Sequence, residues 1–382
     1  MLRSLRRYSI KAPFPTNTTG KGPAAFDKNM PSNVPLKAWE RDGESKDHWF
    51  KRKHAHHHAL QKERGKNDRR DFRKKKDEKP KDLKKLLHTL KPSPLVDYIY
   101  GTNSVLAALQ SNKREFGSLN IHIPVTVSST QLSTMGKYKE IKNLAKSMGI
   151  EIKEASKQDL NQLTNNGVHN GVVLESRKLD VPVIRKLGEE FTQEMFTYVN
   201  SANDYQSVYV DNKSVKGKKR FPLALYLDEL TDPHNVGAIM RTAYFMGVDM
   251  IFLSERNCAP LGPVVDKVSA GAMEFMEIGY VNKPLDFVSK SSENGWAVFA
   301  TDMPGTLNKK TSDVESFTID DVKNTLNEKP TLLLIGSEGE GLRKTLIQRS
   351  DGTVGIYGGR KGMVDSLNVS VATGMILGLL LN

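Results

Sequence analysis

Cysteine is almost missing: Cys258 stands alone in 382 residues. That excludes an internal disulfide and a cysteine-rich zinc site, and it fits a reducing or organellar-matrix setting. No apolar run reaches the roughly 18 residues that span a bilayer. The longest, VSVATGMILGLLL near the C-terminus, is broken by two glycines and a threonine, so the expectation is a soluble chain with no membrane segment. Acidic residues are absent from residues 1–26, where Arg3, Arg6, Arg7, Lys11 and Lys21 sit among hydroxyl side chains. That composition predicts a mitochondrial transit peptide, and the long apolar core of a secretory signal is also lacking.

What is present is a strong but uneven charge. The 38% hydrophobic content suffices for real cores in two or three domains. The formal charge is +13, yet residues 1–92 hold 26 Lys+Arg against 11 Asp+Glu while the remainder holds 31 against 33. Residues 27–95 are poor in apolar side chains and have no sustained period, which predicts a disordered basic arm. Each lysine or arginine that displaces a counterion adds sequence-independent affinity for a phosphate backbone, so RNA or DNA is the expected partner. A solvated linker is the alternative. His54, His56, His57 and His58 fall in this run and read as solvated charge; no metal is expected.

From residue 96 the pattern becomes α/β. Residues 96–178 alternate short apolar strands with helices, Asn103 and Ser156 standing where caps belong. Residues 179–222 read as a linker with some helix, containing the basic loop DNKSVKGKKR. Residues 223–382 open with the strand LALYL, followed by TDPHNVGAIMRTAYFMG, a helix with Asn235 at its cap and Gly247 at its end, and then the strand MIFLS. Strand, helix, strand at this length is a βαβ unit and implies a parallel sheet. Arg241, taken alone, reads as a solvated face of that helix.

Further on, TLLLIGSEGEGL is a buried strand breaking into a glycine turn before LRKTLIQ, read as a helix. Gly336, Gly339 and Gly341 are spaced G-x-x-G-x-G, which fits neither a dinucleotide fingerprint nor a P-loop. Glu338 and Glu340 would also repel a polyphosphate. A final helix closes the chain, with Ser366 as its cap. Asn235 with Arg241, Glu338, and Ser366 with Asn368 thus fall in three turns, and in a parallel sheet the turns after strand C-termini gather at one crevice.

Taken together and in this order, DPHNVGAIMRTA, LLLIGSEGEGL and DSLNVSVATG resemble the three motifs of the SpoU branch of the SPOUT methyltransferases. IYGTNSVLAAL and VHNGVVLES resemble the start and end of the ribosomal-protein-like RNA-binding domain that precedes many SpoU domains. With the basic arm and transit-like terminus, the likeness is greatest to the fungal mitochondrial large-subunit rRNA (guanosine-2′-O-) methyltransferases. The resemblance implies a trefoil knot in the C-terminal segment, a homodimer with sites at the interface, S-adenosylmethionine as cofactor, mitochondrial large-subunit rRNA as partner and the mitochondrial matrix as location. Carried over by position, Gly336, Gly341, Ile356 and Leu367 would hold the cofactor. Arg241, Asn235, Glu338, Ser366 and Asn368 would surround the ribose hydroxyl. A guanidinium only donates hydrogen bonds, so the expected role of Arg241 is phosphate binding and charge stabilisation rather than proton abstraction. Tyr357 and Gly358 depart from the proline and methionine of many relatives, and Arg360 and Lys361 beyond them are RNA contacts or solvated charge. Three alternatives stay open: a tRNA 2′-O-methyltransferase, a non-catalytic ribosome-assembly factor, and a nucleotide-dependent enzyme, which the glycine spacing disfavours.

Overall fold

The computed structural model describes residues 43, 45–49, 51–52, 93–122, 132–210, 220–302, 314–337, 339–359 and 366–381. The transit segment, most of the basic arm with its histidines, Glu338, Arg360 and Lys361 lie outside the described residues. The chain divides into residues 1–86 and 87–382; in the first, residues 46–49 and 51–52 are helical.

The second unit begins with a small α/β module: β1 (Asp97–Tyr100), α1 (Thr102–Ser111), β2 (Phe116–Ile121), α2 (Leu132–Ser147), β3 (Glu151–Glu154), α3 (Lys157–Leu163) and β4 (Val172–Ser176). Its sheet runs β1-β4-β2-β3 over a core that includes Ile99, Leu119, Ile141 and Leu174. Ser156 caps α3 in a reciprocal capping box with Asp159. Asn103 does not cap α1; Gly101 occupies that position at φ 93, and the Asn103 carboxamide accepts from Lys137 Nζ at 2.7 Å. Only glycine holds such a φ without strain, and that backbone angle is what requires it, since the nearest atom a Cβ would meet, Lys267 Nζ at 2.3 Å, is the tip of a flexible side chain.

The stretch expected to be a linker with some helix is instead an antiparallel meander of β5 (Ile184–Phe191), β6 (Met195–Asn200) and β7 (Tyr205–Tyr209). Cross-strand packing explains it: Phe196 and Val208 pair across the strands and face inward, while Tyr205 and Tyr209 on the other face of β7 are exposed. The meander is held by its backbone. Ser291 Oγ accepts from Leu187 N at 3.1 Å, Trp296 Nε1 donates to Gly188 O at 3.2 Å, and Asn294 Nδ2 donates to Leu187 O at 2.6 Å. Phe196 meets Trp296 edge to face at 5.3 Å.

The large domain comprises β8 (Leu223–Leu227), α4 (Pro233–Met246), β9 (Met250–Ser254), α5 (Pro263–Ser269), α6 (Ala272–Phe275), β10 (Glu277–Val281), α7 (Pro284–Glu293), β11 (Ala297–Thr301), β12 (Ser316–Phe317), α8 (Ile319–Glu328), β13 (Thr331–Ile335), α9 (Lys344–Ile347), β14 (Gly352–Val354) and α10 (Val369–Leu381). Its seven strands are ordered β10-β9-β8-β13-β11-β14-β12, and every registered pair is parallel. Strands β8, β9 and β13 are buried along their whole length, as a sheet covered on both faces requires. Two apolar layers follow, one including Leu225, Ile239 and Ile376, the other Tyr226, Phe287 and Trp296. Because β8 and β13 are neighbours, the turns leaving them open side by side. The helix expected after the glycine turn is one short segment, α9.

The two α/β modules of this unit meet over buried charge. Arg114 reaches Asp97 Oδ2 at 3.2 Å and Glu274 Oε1 at 2.7 Å, all three side chains nearly inaccessible. Asp266 is fully buried beside them, and neither of its carboxyl oxygens accepts a hydrogen bond among the described residues. Burial, and then the charge of Glu274, push its carboxyl up from 3.8 to about 8. A carboxyl raised on folding stabilises the native state below its unfolded pKa, and that contribution is lost as pH rises from about 4 to about 8. The slope is at most about 1.4 kcal/mol per pH unit for one proton. Asp266→Asn is therefore expected to remove a fall in stability between pH 6 and pH 8; an unchanged dependence in thermal unfolding would refute the buried-acid account.

Candidate active site

Helix α4 brings the first group of candidates. Asp232, not Asn235, caps it: the Asp232 carboxylate accepts from His234 N at 2.9 Å, and Pro233 opens the helix. Asn235 lies in the first turn and is buried. Its carboxamide is used at both ends, Nδ2 donating to Asp232 Oδ2 at 3.1 Å and Oδ1 accepting from Asn368 Nδ2 at 3.0 Å. Asn368 in turn caps α10, its Oδ1 accepting from Ser370 N at 2.9 Å and Ser370 Oγ at 2.6 Å. Ser366, expected as that cap, lies two residues earlier and is exposed.

One polar chain thus runs Asp232, Asn235, Asn368, Ser370, joining residues 133 positions apart. It fixes the entry of α10 to the start of α4. Leu367, immediately before Asn368, is half exposed there, while Ile356 beyond β14 packs partly against the core.

The glycine turn has a definite shape. Gly336 is buried, and Ser337 and Gly341 exchange backbone hydrogen bonds, Ser337 N to Gly341 O at 3.2 Å and Gly341 N to Ser337 O at 3.1 Å. Gly341 has φ 68, a conformation that L-residues with side chains rarely adopt. A Cβ at Gly339 or Gly341 would meet no atom within 4 Å, so the outer turn borders open space. Glu340 is exposed; Glu338 lies outside the described residues.

The turn is anchored by a pair that sequence reasoning missed. Arg343 Nε donates to Asp228 Oδ2 at 2.8 Å and Nη2 to Asp228 Oδ1 at 2.5 Å, with Tyr226 Oη donating to the same Oδ1 at 2.9 Å. Asp228 is buried at the end of β8, and Arg343 directly follows the glycine turn. This forked geometry locks the two turns together. An aspartate directly after a fully apolar strand was the available signal, since a buried carboxylate demands a partner.

Arg241 stands apart. It is exposed two turns along α4 from Asn235, and among the described residues no hydrogen bond or ion pair holds its guanidinium. It lines a groove of about 480 Å³ with Tyr244, Phe245, Ser269, Gly271 and Phe275, where Tyr244 stacks on Phe275 at 5.9 Å. The structure therefore unites Asn235 with Asn368 and places Arg241 on a neighbouring open surface.

Fold and site define a parallel α/β domain whose candidate residues gather in the turns at the C-terminal ends of its central strands, preceded by a smaller α/β module. A sequence model described as the SpoU rRNA Methylase family matches residues 222–378. One for RNA 2′-O ribose methyltransferase substrate binding matches 98–182, and the MRM1 N-terminal domain matches 1–92. The chain is 38% identical to rRNA methyltransferase 1, mitochondrial, of Saccharomyces cerevisiae, with 94% of this chain and 92% of that protein covered. It is 37% identical to the Schizosaccharomyces pombe protein of the same name, covering 75% and 90%, and 30% identical to that of Homo sapiens, covering 76% and 74%. The chain belongs to the SpoU rRNA methylase family. The solved AdoMet-bound rRNA methyltransferase of Sinorhizobium meliloti shares the fold, with a TM-score of 0.51, 19% identity, and 75% of this chain and 87% of that one covered.

Proposed function

We propose that this chain transfers a methyl group from S-adenosylmethionine to the ribose 2′-hydroxyl of a guanosine in the peptidyl-transferase region of mitochondrial large-subunit rRNA, acting as a homodimer in the mitochondrial matrix. The observation that carries this reading is the Asn235–Asn368 hydrogen bond, which joins two of the family's motifs beside the glycine turn that forms the third. The names of the yeast, fission-yeast and human relatives supply the substrate class and the compartment.

The crevice suits the cofactor by its donor set. The described residues of the turn, Gly336, Ser337, Gly339, Glu340, Gly341 and Leu342, include no cation, and Arg343 is engaged by Asp228. That favours a neutral adenosine and a cationic sulfonium over a polyphosphate. When bound, S-adenosylmethionine supplies an activated methyl group, and the protein supplies position and electrostatics.

In this reading the backbone at Gly336, Ile356 and Leu367 and the open turn at Gly341 hold the cofactor. Asn368 and Ser366 shape that side, and Asn235 holds the α10 entry in place instead of orienting Arg241 directly. Arg241 binds the phosphate next to the target and would stabilise charge that develops on the 2′-oxygen as it gives its proton to solvent and takes the methyl carbon, the broken carbon–sulfur bond leaving a neutral thioether. Glu338 is assigned to orient Arg241.

The homodimer draws support from α10. Its inner face, Thr373, Ile376, Leu377 and Leu380, is buried, while Val371, Met375 and Leu379 form an exposed apolar stripe at i+4 spacing. Val371→Glu with Met375→Glu is expected to convert dimer to monomer in sedimentation and to reduce turnover at least tenfold with the fold intact; a fully active dimer would remove α10 as the interface. The C-terminal knot belongs to the same reading, consistent with a chain that leaves β14 and returns as α10 against α4.

The test is transfer of labelled methyl to a transcript of the peptidyl-transferase region and to the same transcript with 2′-deoxyguanosine at the target. Label on the first alone is expected. Label confined to tRNA would move the substrate, and cofactor binding without any transfer would favour an assembly factor.

A further inference from the structure

Residues 183–221 fall between the matched substrate-binding and methylase stretches, and they build the β5–β7 meander. Its inner face is spent on the core, but its outer face is unusual. Among the described residues β7 is an edge strand that pairs with β6 alone. Tyr205 and Tyr209 stand on it 68% and 82% exposed, far more than a tyrosine needs for packing. The register places Tyr205 opposite Val199 and Tyr209 opposite Met195, so both rings share the outer face. Four residues apart on a strand, they are separated by roughly 13 Å. Lys186, opposite Val199 on the other flank, joins that face.

The end of the meander nearest Tyr205 is cationic. Arg185, Lys283 and Lys290 line a groove of about 230 Å³ with Ser201, Asn282 and Asp286. Asp286 lies 3.9 Å from Lys290, and Asp204 accepts from Asn200 Nδ2 at 3.3 Å. The glutamates of the meander, Glu189, Glu190 and Glu194, cluster around the opposite β5–β6 turn. Position matters as much as charge. Asn282 and Lys283 follow the C-terminal end of β10, and β5 starts there through the parallel Val183–Tyr280 bridge. β10 lies two strands from β8, so the groove opens on the same sheet edge as the candidate active site, roughly 10 Å further along.

We propose that this face is an RNA-binding platform: unpaired bases of the substrate RNA stack on Tyr205 and Tyr209, while Arg185, Lys283 and Lys290 hold the adjoining phosphates. The proposal rests on the reading that RNA is the substrate. A row of rings that leads from the Glu194 turn at Tyr209 to a cationic groove at Tyr205 fits a single strand that stacks along β7 and is held by its phosphates at the Tyr205 end, because every base has a face to stack. A β-strand from a protein partner would satisfy the free edge of β7 but would leave the cationic groove unused.

The experiment measures equilibrium binding of the full chain, without S-adenosylmethionine, to oligouridine and to duplex RNA of equal length over a range of salt. Tyr205→Ser with Tyr209→Ser should weaken oligouridine binding about ten- to a hundredfold, leave duplex binding within about twofold, and leave the salt slope unchanged. Arg185→Gln with Lys283→Gln and Lys290→Gln should lower the slope of log K against log salt by about 2. Both sets are at the surface, and cofactor affinity serves as the control for folding. Unchanged oligouridine affinity in both variants, or no RNA binding by the wild type, overturns the proposal. A change in oligomeric state or in capture of a strand-forming peptide, with RNA affinity intact, overturns it in favour of protein docking. Because no methyl transfer is read, failure of the methylation test would leave this result standing on its own.

Discussion

Gly336→Ala is expected to abolish cofactor binding, whereas Gly339→Ala three residues away leaves it intact. The difference follows from what each new methyl group meets. At Gly336 a Cβ would lie 2.2 Å from Leu342 N, 2.3 Å from Gly341 C and 2.7 Å from Gly341 O. These are backbone atoms of the turn itself, so relief requires the turn to open. Overpacking of this kind typically costs about 1–3 kcal/mol. Here it also breaks the Ser337–Gly341 pairing and displaces Leu342, which is buried in the core layer beside Leu346. Calorimetry with S-adenosylmethionine or its demethylated product should show at least a hundredfold loss of affinity in Gly336→Ala and less than a threefold change in Gly339→Ala. Equal affinities in the two variants would mean that the turn does not form the cofactor wall.

Arg241→Ala is expected to lower methyl transfer about a hundred- to a thousandfold, the range for losing one donor aimed at developing charge. Cofactor affinity and thermal stability should hardly change, because the side chain is exposed and joins no network among the described residues. Arg241→Lys should recover little of the loss. Lysine keeps the charge but lacks the planar fork that holds a phosphate and an oxygen together. Near-normal turnover in the lysine variant would leave only a diffuse electrostatic role for this position.

Those two residues mark the limits of what was legible in the chain. The parallel sheet followed from continuous apolar runs such as Leu223–Leu227 and Thr331–Ile335, because strands buried on both faces need no alternation. Strand-end turns also pointed to the crevice. The caps were less legible. Asp232 and Asn235 are both good capping residues, as are Ser366 and Asn368, and only tertiary contact decides between them: once Asn235 bonds Asn368 across 133 positions, Asp232 is left to cap α4. The meander was missed because Gly188 and the paired Glu189 and Glu190 interrupt the alternation of β5, and because its apolar positions are explained by Trp296 and Phe287 far along the chain. The Asp228–Arg343 fork is likewise non-local. Spacing could place each residue at a turn but could not show that the turns are bound to one another.

The central claim is that the crevice between β8, β13 and α10 transfers methyl to a ribose hydroxyl of mitochondrial large-subunit rRNA. Its most direct test is ribose-methylation mapping of mitochondrial rRNA and tRNA from cells carrying wild-type protein or Arg241→Ala at matched protein levels. The account predicts the loss of one methylated guanosine in the large rRNA and no other change. Persistence of every ribose methyl group in the Arg241→Ala cells would contradict it.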